Sequence, residues 1–408
     1  MDSQNTADLP ESATLGVEEE FLLIDRSTLR PVGRSSPVVE ESRHRLGGGY
    51  LVQELSQAMV ETVSCVCDGS SALYQELVRL RREAARAADT RGCLLLASGT
   101  SPDGSAGPAL GTEPSCVPGL RDQPRYARIR QQFGPLLEDQ AVCACHVHVG
   151  VPDVQTAVQV INHLRPWLPL LLALTANSPF WRGRDTGYES WRAMVWSRWP
   201  TAGPPPWLRS AGHYEAIVRS LVASGAALDP AMIYWFARPS RHVPTVEVRI
   251  ADVLPTVEET VAYALLVRAL VAHARSEMER HVPAPQVQQE VLIAACWRAA
   301  RTGVSGHLPD LCGTAAGTEP PAAWHISALR AAISPHLVQD DERTMVDQWL
   351  DLLMREGSGA ERQRAVHRRT GSVRGLIEHV ALTDGEPPLT APAPALRTES
   401  RCPDPEET

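Results

Sequence analysis

Three short segments of this sequence alternate in the manner of a β-strand, but their polar positions carry charged and metal-binding side chains. The segments are GVEEEF at 16–21, ACHVHVG at 144–150 and TVEVRIAD at 245–252. Side chains at positions i and i+2 of a strand share one face. The pairs that this rule places together are Glu18 with Glu20, His146 with His148, and Glu247 with Arg249. Buried charges cost free energy unless opposite charges compensate them, so a fold that buries these strands must supply a partner there.

Each pair taken alone has an ordinary explanation. An E-x-E strand is most often the solvent face of an antiparallel sheet, a strand histidine is more often structural than a ligand, and Glu247 with Arg249 can be a weak same-face ion pair. On neighbouring strands the three pairs would instead build a site for hard cations and phosphate oxygens, which carboxylates and arginine bind well. Glu19 points to the opposite face, which makes it the control position for substitutions of Glu18 and Glu20.

Composition narrows the classes of protein that fit. A chain of 408 residues with 43 % apolar content can bury a large core. A formal net charge of −9 argues against a nucleic-acid-binding protein, so small molecules are the expected partners. The sequence contains no lysine, which excludes a GK[ST] phosphate loop, a Schiff-base lysine and lysine phosphate clamps. Metals and arginines must therefore neutralise the phosphates of any nucleotide that the protein handles.

The cysteines and the apolar segments favour a soluble cytoplasmic protein. Nine cysteines are scattered without a CxxC pair, so buried reduced thiols are the expected state. The first residues show neither a basic region nor an apolar run, and no signal peptide is predicted. The most apolar stretch, WLPLLLALTA at 167–176, contains a proline and is shorter than the roughly 20 residues that span a bilayer. No membrane partner is expected.

The chain is predicted to form one domain between two disordered tails. Residues 1–12 are polar, and residues 382–408 are rich in proline and acidic side chains, with too little apolar surface to order themselves. Residues 13–381 contain no linker and no internal repeat. This stretch is the single predicted domain.

Helical periodicity and capping residues predict three helices and a strand. Residues 70–92 form the first helix and lead into a strand at 93–99. A second helix begins near Asp153, and a third runs from Thr256, where TVEE is a capping box, to about Glu279.

Two segments are less regular. Residues 49–65 contain strand-like and helix-like stretches that periodicity cannot separate. Residues 182–207 are broken by glycine and proline, and a loop of that length in a compact domain is usually functional.

The sequence resembles the type 2 glutamate–cysteine ligases, especially their bacterial carboxylate–amine ligase branch, over about residues 13 to 380. The motifs that carry the resemblance, in order, are TLGVEEEF, VQELSQAMVETVS, LASGTSP, CHVHVGV, LTANSPFWRGRDTGYESWR, YWFARPS, TVEVRIAD and AARTGVSG. The resemblance implies an α+β fold with a curved, mainly antiparallel sheet of the glutamine-synthetase catalytic-domain type. The active site would lie on the concave face of the sheet, with helices packed behind it, and residues 13–381 would be the catalytic domain.

The resemblance also implies roles for individual residues. Two or three Mg²⁺ ions, with Mn²⁺ as an alternative, would be approached by Glu18, Glu20, Glu54, Glu61, His146 and Glu247. Catalysis would depend on Glu247 and on Arg249, which would contact the transferring phosphoryl group. Substrate or nucleotide contacts would come from Arg238, Ser240 and His148, with loop-fixing or packing roles as the alternatives. The loop that carries Arg182, Arg184, Arg192 and Arg198 resembles a lid. Without the resemblance, Glu54 and Glu61 would be read as a helix surface.

The implied activity is ATP-dependent ligation of glutamate to cysteine through γ-glutamyl phosphate, with weak turnover. Phe236 stands where YWFARPS is expected to have an acidic residue, so a different amine acceptor is the alternative. Two rivals from other classes are a metal-dependent hydrolase, with His146 and His148 on zinc, and a non-catalytic binder of ATP or an amino acid. A homodimer is allowed by the sequence.

Overall fold

The computed structural model describes residues 13–43, 49–103, 124–137, 140–313 and 317–382. The predicted tails, 1–12 and 382–408, lie outside these ranges except for Leu382, which ends the last strand. Disorder in the tails therefore stays a prediction.

Ten strands occur in the described residues. They are β1 (Leu15–Asp25), β2 (Tyr50–Gln53), β3 (Met59–Val63), β4 (Cys93–Leu96), β5 (Ala144–Gly150), β6 (Phe180–Trp181), β7 (Arg184–Asp185), β8 (Ala237–Pro239), β9 (Thr245–Asp252) and β10 (Ala381–Leu382). Eight of them form one sheet in the order β10-β4-β1-β5-β9-β8, with β3 paired to β1 and β2 to β3. Every pairing in this sheet is antiparallel. The sheet therefore has the antiparallel character that the sequence predicted.

Thirteen α-helices accompany the sheet in the described residues. They are α1 (Ser35–Ser42), α2 (Ser70–Asp89), α3 (Pro124–Phe133), α4 (Val154–Leu164), α5 (Leu168–Leu174), α6 (Trp191–Trp196), α7 (Ala211–Ala223), α8 (Val257–Glu279), α9 (Gln289–Thr302), α10 (Ala322–Ile333), α11 (Asp340–Glu356), α12 (Gly359–Thr370) and α13 (Val373–Val380). The predicted helices at 70–92, near 153 and at 256–279 are confirmed as α2, α4 and α8. No helix among the described residues is both long and apolar enough to cross a membrane.

The helices α2, α4 and α8 pack behind the sheet, with α10 and α11 against the far side of α8. The alternate residues of the three charged strands supply the sheet's side of this interface. These residues are Val17, Val147, Val149, Val246, Val248 and Ile250, and all are buried in the main apolar core. Since the apolar face of each strand lies on the helices, its polar face must lie on the opposite, open side of the sheet.

The long helix α8 begins as predicted, but its capping box is only half formed. The Thr256 side chain accepts a hydrogen bond from the backbone N–H of Glu259. The Glu259 carboxylate does not return to Thr256. It accepts hydrogen bonds from Trp349 and Arg362 instead, so Glu259 fastens the C-terminal helices to the start of α8.

Residues 49–65, which periodicity left undecided, form the antiparallel hairpin β2–β3. Glu54 lies in its connecting loop and Glu61 lies on β3. The helix-surface interpretation of these two glutamates is therefore wrong, because strand pairing with β1 determines this segment. Residues 182–207 contain β7 and α6 and are otherwise irregular, as predicted.

Candidate active site

Strand register brings the polar pairs into direct cross-strand contact. Glu18 of β1 stands opposite His146 of β5, and Glu20 stands opposite Glu61 of β3. On the other side of β5, His148 stands opposite Glu247 of β9. Side chains at directly opposed positions lie about 5 Å apart at Cβ. Four strands therefore concentrate carboxylates and imidazoles on one face of the sheet.

This face forms the floor of a cavity of about 390 Å³. All of the residues predicted as metal ligands line it, and so do three of the predicted substrate contacts and Arg249. The lining residues from the sequence predictions are Glu18, Glu20, Glu54, Glu61, His146, Glu247, His148, Arg238, Ser240 and Arg249. The cavity thus unites residues from β1, β3, β5, β8 and β9 with two from loops.

Glu18 lies between the two histidines. Its Oε2 is 2.9 Å from His146 Nδ1, and its Oε1 is 3.3 Å from His148 Nε2. Burial acts to raise the pKa of Glu18, but the charge of His148 and the hydrogen bonds to both histidines outweigh it and hold that pKa well below its usual value. Burial lowers the pKa of His148, and the facing Glu18 outweighs it and raises that pKa. Glu18 and His148 therefore favour a charged pair.

His146 behaves differently from His148. Burial and the neighbouring Arg249 lower the pKa of His146 to about 4. Its ring is therefore neutral at physiological pH, which is the form that binds metals. Besides its contact with Glu18, it lies 3.9 Å from a carboxylate oxygen of Glu20 and 3.9 Å from one of Glu61.

Glu20, Glu54 and Glu61 form a cluster with too little positive charge. Burial and the charge of Glu54 raise the pKa of Glu20 to about 7. Burial raises the pKa of Glu61 well above its usual value, and the charges of Glu54, Glu18 and Glu20 raise it further. Buried carboxylates that face one another in this way need a cation for all of them to ionise.

The donor atoms present fit such a cation. In the described residues, two groups of ligand atoms lie within 4.8 Å of one another, Glu18–His146–Glu247 and Glu20–Glu61–His146. The two groups share His146 and are otherwise carboxylates, and oxygen-rich sets favour hard cations such as Mg²⁺ and Mn²⁺ over zinc. His148 Nδ1 lies 2.9 Å from the Thr245 hydroxyl. The zinc hydrolase rival, which needs His146 and His148 on one ion, is therefore disfavoured.

Glu247 is held between two arginines. Arg238 Nε donates to Glu247 Oε2 at 2.7 Å and Arg238 Nη2 to Oε1 at 3.2 Å, while Arg249 Nη1 donates to Oε1. Burial acts to raise the pKa of Glu247, but the two guanidinium charges outweigh it and keep that pKa far below its usual value. Glu247 is therefore a permanent anion that fixes both arginines.

The two arginines differ in their remaining donors. Arg238 Nη1 also donates to the carbonyls of Ala231 and Ile233, at 3.1 and 2.8 Å. Arg249 Nη1 is 3.4 Å from His146 Nδ1, and Arg249 Nε is buried without a hydrogen-bond partner among the described residues. Arg238 thus fits the loop-fixing alternative, whereas Arg249 keeps N–H groups for an anionic ligand in the cavity.

The four loop arginines do not line the cavity within the described part of the chain. Arg182, Arg184 and Arg198 are exposed, and Arg198 Nε donates to the Val195 carbonyl. Arg192 is buried next to β9. None of these four arginines therefore reaches the cavity in this structure, and the lid that the resemblance implies stays a prediction.

The opposite wall of the cavity was missed by sequence reasoning. It includes Arg125 and Tyr126 of α3, Trp196 of α6 and Tyr234. Arg125 Nε donates to Asp229 at 2.9 Å and Nη2 at 3.2 Å, which fixes α3 to the segment before β8. A contact across 104 residues leaves no local pattern in the sequence.

Phe236, the residue that departs from the expected motif, is buried in the main apolar core and is not among the described residues that line the cavity. The structure therefore gives Phe236 a core-packing role, and the identity of the amine acceptor stays a prediction from the sequence.

Comparison with known proteins identifies the family. A family model described as glutamate–cysteine ligase family 2 (GCS2) matches residues 14–381. The chain belongs to this family. Among glutamate–cysteine ligase family 2 proteins, a relative from Saccharopolyspora erythraea, provisionally named glutamate–cysteine ligase 2-1, is 46 % identical over 368 residues, covering 90 % of this chain and 93 % of that protein. One from Salinispora tropica, provisionally named glutamate–cysteine ligase 2, is 43 % identical over 389 residues, covering 94 % and 97 %.

Solved structures share the fold of this family 2 chain at low identity. A glutamate–cysteine ligase from Francisella tularensis in complex with AMP aligns with a TM-score of 0.64 at 12 % identity, covering 90 % of this chain and 87 % of that one. A bifunctional glutathione synthetase from Pasteurella multocida aligns with a TM-score of 0.62 at 11 % identity, covering 91 % and 52 %. The predicted family and fold class are confirmed, and family membership makes the chain an ATP-dependent ligase, as predicted.

Proposed function

We propose that this chain activates the γ-carboxylate of glutamate with ATP and transfers the γ-glutamyl group to an amine, releasing ADP and phosphate. Cysteine is the first candidate acceptor, with weak activity and γ-glutamylcysteine as the product. The observation that carries the proposal is the arrangement of side chains on the floor of the cavity. There a carboxylate cluster suited to divalent cations lies beside the guanidinium of Arg249, which keeps N–H groups for an anionic ligand.

The chemistry explains why both features are needed. A carboxylate is a poor electrophile, so an amine attacks it only after one oxygen has been phosphorylated. Mg²⁺ or Mn²⁺ held by Glu18, Glu20, Glu54, Glu61, His146 and Glu247 would neutralise the ATP phosphates during that transfer. Arg249 would stabilise the charge that spreads over the transferring phosphoryl group. Glu247 would hold Arg249 in place, since the two are directly hydrogen-bonded.

The proposal is tested by incubating the purified protein with ATP, Mg²⁺ and glutamate against a panel of amino acids and amines. Phosphate release and the mass of any γ-glutamyl product are read together. We expect phosphate release that requires both glutamate and an amine. Turnover with cysteine supports the first candidate, and turnover with another amine alone supports the alternative acceptor. No turnover with any amine would favour the non-catalytic rival.

Glu247→Gln is the variant that tests the role of this site in the reaction. The amide keeps the shape of the side chain but removes the charge that Arg238 and Arg249 contact. We expect ATP-dependent ligation to be lost while circular dichroism shows an unchanged fold. Full activity of this variant would reject the assignment.

The proposed reaction takes small molecules as substrates. A cytoplasmic location and a homodimer stay predictions from the sequence. Size-exclusion chromatography with light scattering would test the second of these.

A further inference from the structure

A β-bulge lies at Arg249, one of the residues that line the cavity. The ladder partners on either side of it are Cys145 with Ala251 and Val147 with Val248. Two residues of β9, Arg249 and Ile250, therefore stand opposite the single residue His146. A bulge redirects the side chains around it and leaves backbone groups outside the regular ladder. Because those groups are buried here, something must satisfy them.

Arg192 supplies the missing hydrogen bonds. Its Nη1 donates to the Ile250 carbonyl at 3.2 Å and its Nη2 to the Arg249 carbonyl at 3.2 Å. The side chain is buried, with 2 % of the residue exposed. The planar guanidinium therefore joins the two consecutive carbonyls of the bulge, an arrangement that a lysine ammonium cannot reproduce with the same fixed geometry.

Arg192 is itself anchored by a buried carboxylate. Asp252 Oδ1 lies 3.6 Å from Arg192 Nη1. The remaining partners of Asp252 are the backbone N–H of Asn177 at 2.8 Å, the Ser178 hydroxyl at 2.6 Å and the Ser190 hydroxyl at 2.8 Å. The Ser178 oxygen also accepts from the Arg192 backbone N–H at 3.0 Å. Two separate segments of the LTANSPFWRGRDTGYESWR motif thus close around the end of β9.

We propose that Arg192, anchored by Asp252, is a positioning residue that holds the β9 bulge so that Arg249 reaches the transferring phosphoryl group. The inference rests on the proposed function for its catalytic readout. It differs from the substrate contact that the sequence suggested, since Arg192 does not line the cavity formed by the described residues. Arg192 acts through the backbone of Arg249 and touches no ligand.

The first test compares Arg192→Lys with Arg165→Lys. Arg165 is a matched control because it is as buried as Arg192 and donates to the carbonyls of Pro205 and Val287, and to neither carbonyl of the β9 bulge. Both variants should lose thermal stability. Only Arg192→Lys should lose kcat, by about 10- to 100-fold, because a small displacement of a catalytic group has effects of that size. Its KM for ATP and glutamate should change by less than about threefold.

A double-mutant cycle separates positioning from general destabilisation. If Arg192 acts through Arg249, then Arg192→Lys should lower kcat by no more than about threefold in an Arg249→Lys background. A multiplicative loss in the double variant would overturn the proposal. Should Arg192→Lys fail to fold, Asp252→Asn keeps the size of the anchor and removes its charge, and the same non-additivity with Arg249→Lys is expected.

A readout without activity keeps this inference distinct from the proposed function. Hydrogen–deuterium exchange in the peptide covering 245–252 should be faster in Arg192→Lys than in Arg165→Lys, since the bulge loses the hydrogen bonds that the Arg192 guanidinium donates. Equal exchange in the two variants would overturn the positioning role even if the wild type proved inactive. An inactive wild type with faster exchange in Arg192→Lys would reject only the ligase proposal, and the conclusion that Arg192 stabilises the β9 bulge would stand.

Discussion

The two faces of β1 both carry glutamate, but the surroundings of these carboxylates differ in how much positive charge compensates them. On the helix side, Glu19 is fully buried and accepts from Arg81 Nε at 3.0 Å and Arg81 Nη2 at 2.6 Å. The Thr260 hydroxyl donates to the same carboxylate at 2.8 Å. Side chains of the protein thus supply hydrogen-bond donors to both oxygens of this carboxylate, which joins β1 to α2 and α8.

On the cavity side, Glu20 faces Glu61, and no arginine among the described residues forms an ion pair with either carboxylate. The charges of Arg192 and Arg249 act to lower the pKa of Glu20, but burial and Glu54 outweigh them. Glu20 Oε2 accepts from the backbone N–H of Ala144 at 2.7 Å, but the pKa values of Glu20 and Glu61 are raised by burial and by like charges. Buried polar groups left short of partners in a folded protein mark functional sites. The comparison teaches that protein groups alone compensate Glu19, whereas Glu20 and Glu61 would need the proposed cation for the same compensation.

The largest expected effect breaks the helix-side ion pair. Glu19→Gln removes the carboxylate charge that Arg81 Nε and Nη2 contact, and breaking a buried ion pair in this way costs about 3–5 kcal/mol of unfolding free energy. Glu20→Gln, the same chemical change one residue away, should leave the unfolding free energy of the metal-free protein unchanged or higher. Urea denaturation of both variants in EDTA measures the difference. Equal losses would contradict the contrast between the faces. Glu19 is therefore not the neutral control that its direction alone suggested.

Cation binding should produce the next effect. Mn²⁺ at 100 times its dissociation constant should stabilise the wild type by about 2.7 kcal/mol, because it binds only the folded state. Glu61→Gln removes a ligand from the cavity cluster and should lose most of this stabilisation. Glu76→Gln, on α2 and outside the cavity lining of the described residues, should retain it. Thermal unfolding with and without Mn²⁺ provides the measurement. An unchanged shift in Glu61→Gln would show that the cation binds elsewhere.

The pH dependence of the metal-free protein gives a smaller effect. Because the pKa of Glu20 is raised to about 7 and that of Glu61 is raised as well, their stabilising protonated forms are complete below pH 4.5 and are lost as pH rises through the folded-state values. The pKa of His148 is also raised, so its contribution falls in the same direction. The melting temperature in EDTA should therefore decrease from pH 6.5 to 8.5, and saturating Mn²⁺ should flatten the decrease. A rise over this interval would contradict the assigned charge states.

The smallest effect is expected at the surface loop. Arg184 is exposed on β7 and does not line the cavity among the described residues. Arg184→Ala should change the unfolding free energy by less than about 0.5 kcal/mol. Its kcat and KM should match those of the wild type in the same assay. A large loss of kcat would mean that the loop closes over the site during turnover.

Strand periodicity was enough to predict the faces of the site. The alternation in β1 correctly separated Glu18 and Glu20 from Glu19. In β1, β5 and β9, the apolar residues that alternate with the polar pairs are buried as expected. Glu54 and Glu61 needed the family resemblance, because a hairpin and a helix surface give the same local pattern in that segment. Their approach to Glu20 depends on strand register, which the sequence of one strand does not encode.

Long-range partners could not be predicted from local pattern. Arg81 lies 62 residues from Glu19, and nothing in the helix that carries it distinguishes it from a surface arginine. The family resemblance placed Arg192 in a lid. In the structure its guanidinium donates instead to the carbonyls of Arg249 and Ile250 at the bulge. Arg81 pairs with the Glu19 carboxylate and Arg192 bonds to the bulge carbonyls. These groups become buried together only when the sheet has formed, so a local sequence pattern does not predict the contacts.

Isotope transfer from the substrate carboxylate tests the central claim most directly. Glutamate labelled with ¹⁸O in its γ-carboxylate is incubated with the protein, ATP, Mg²⁺ and the best amine of the panel, and the released phosphate is analysed by mass spectrometry. Activation through γ-glutamyl phosphate predicts one ¹⁸O atom in each phosphate released. Phosphate that forms without any ¹⁸O would contradict phosphoryl transfer to the carboxylate, and with it the function proposed for the cluster on β1, β3, β5 and β9.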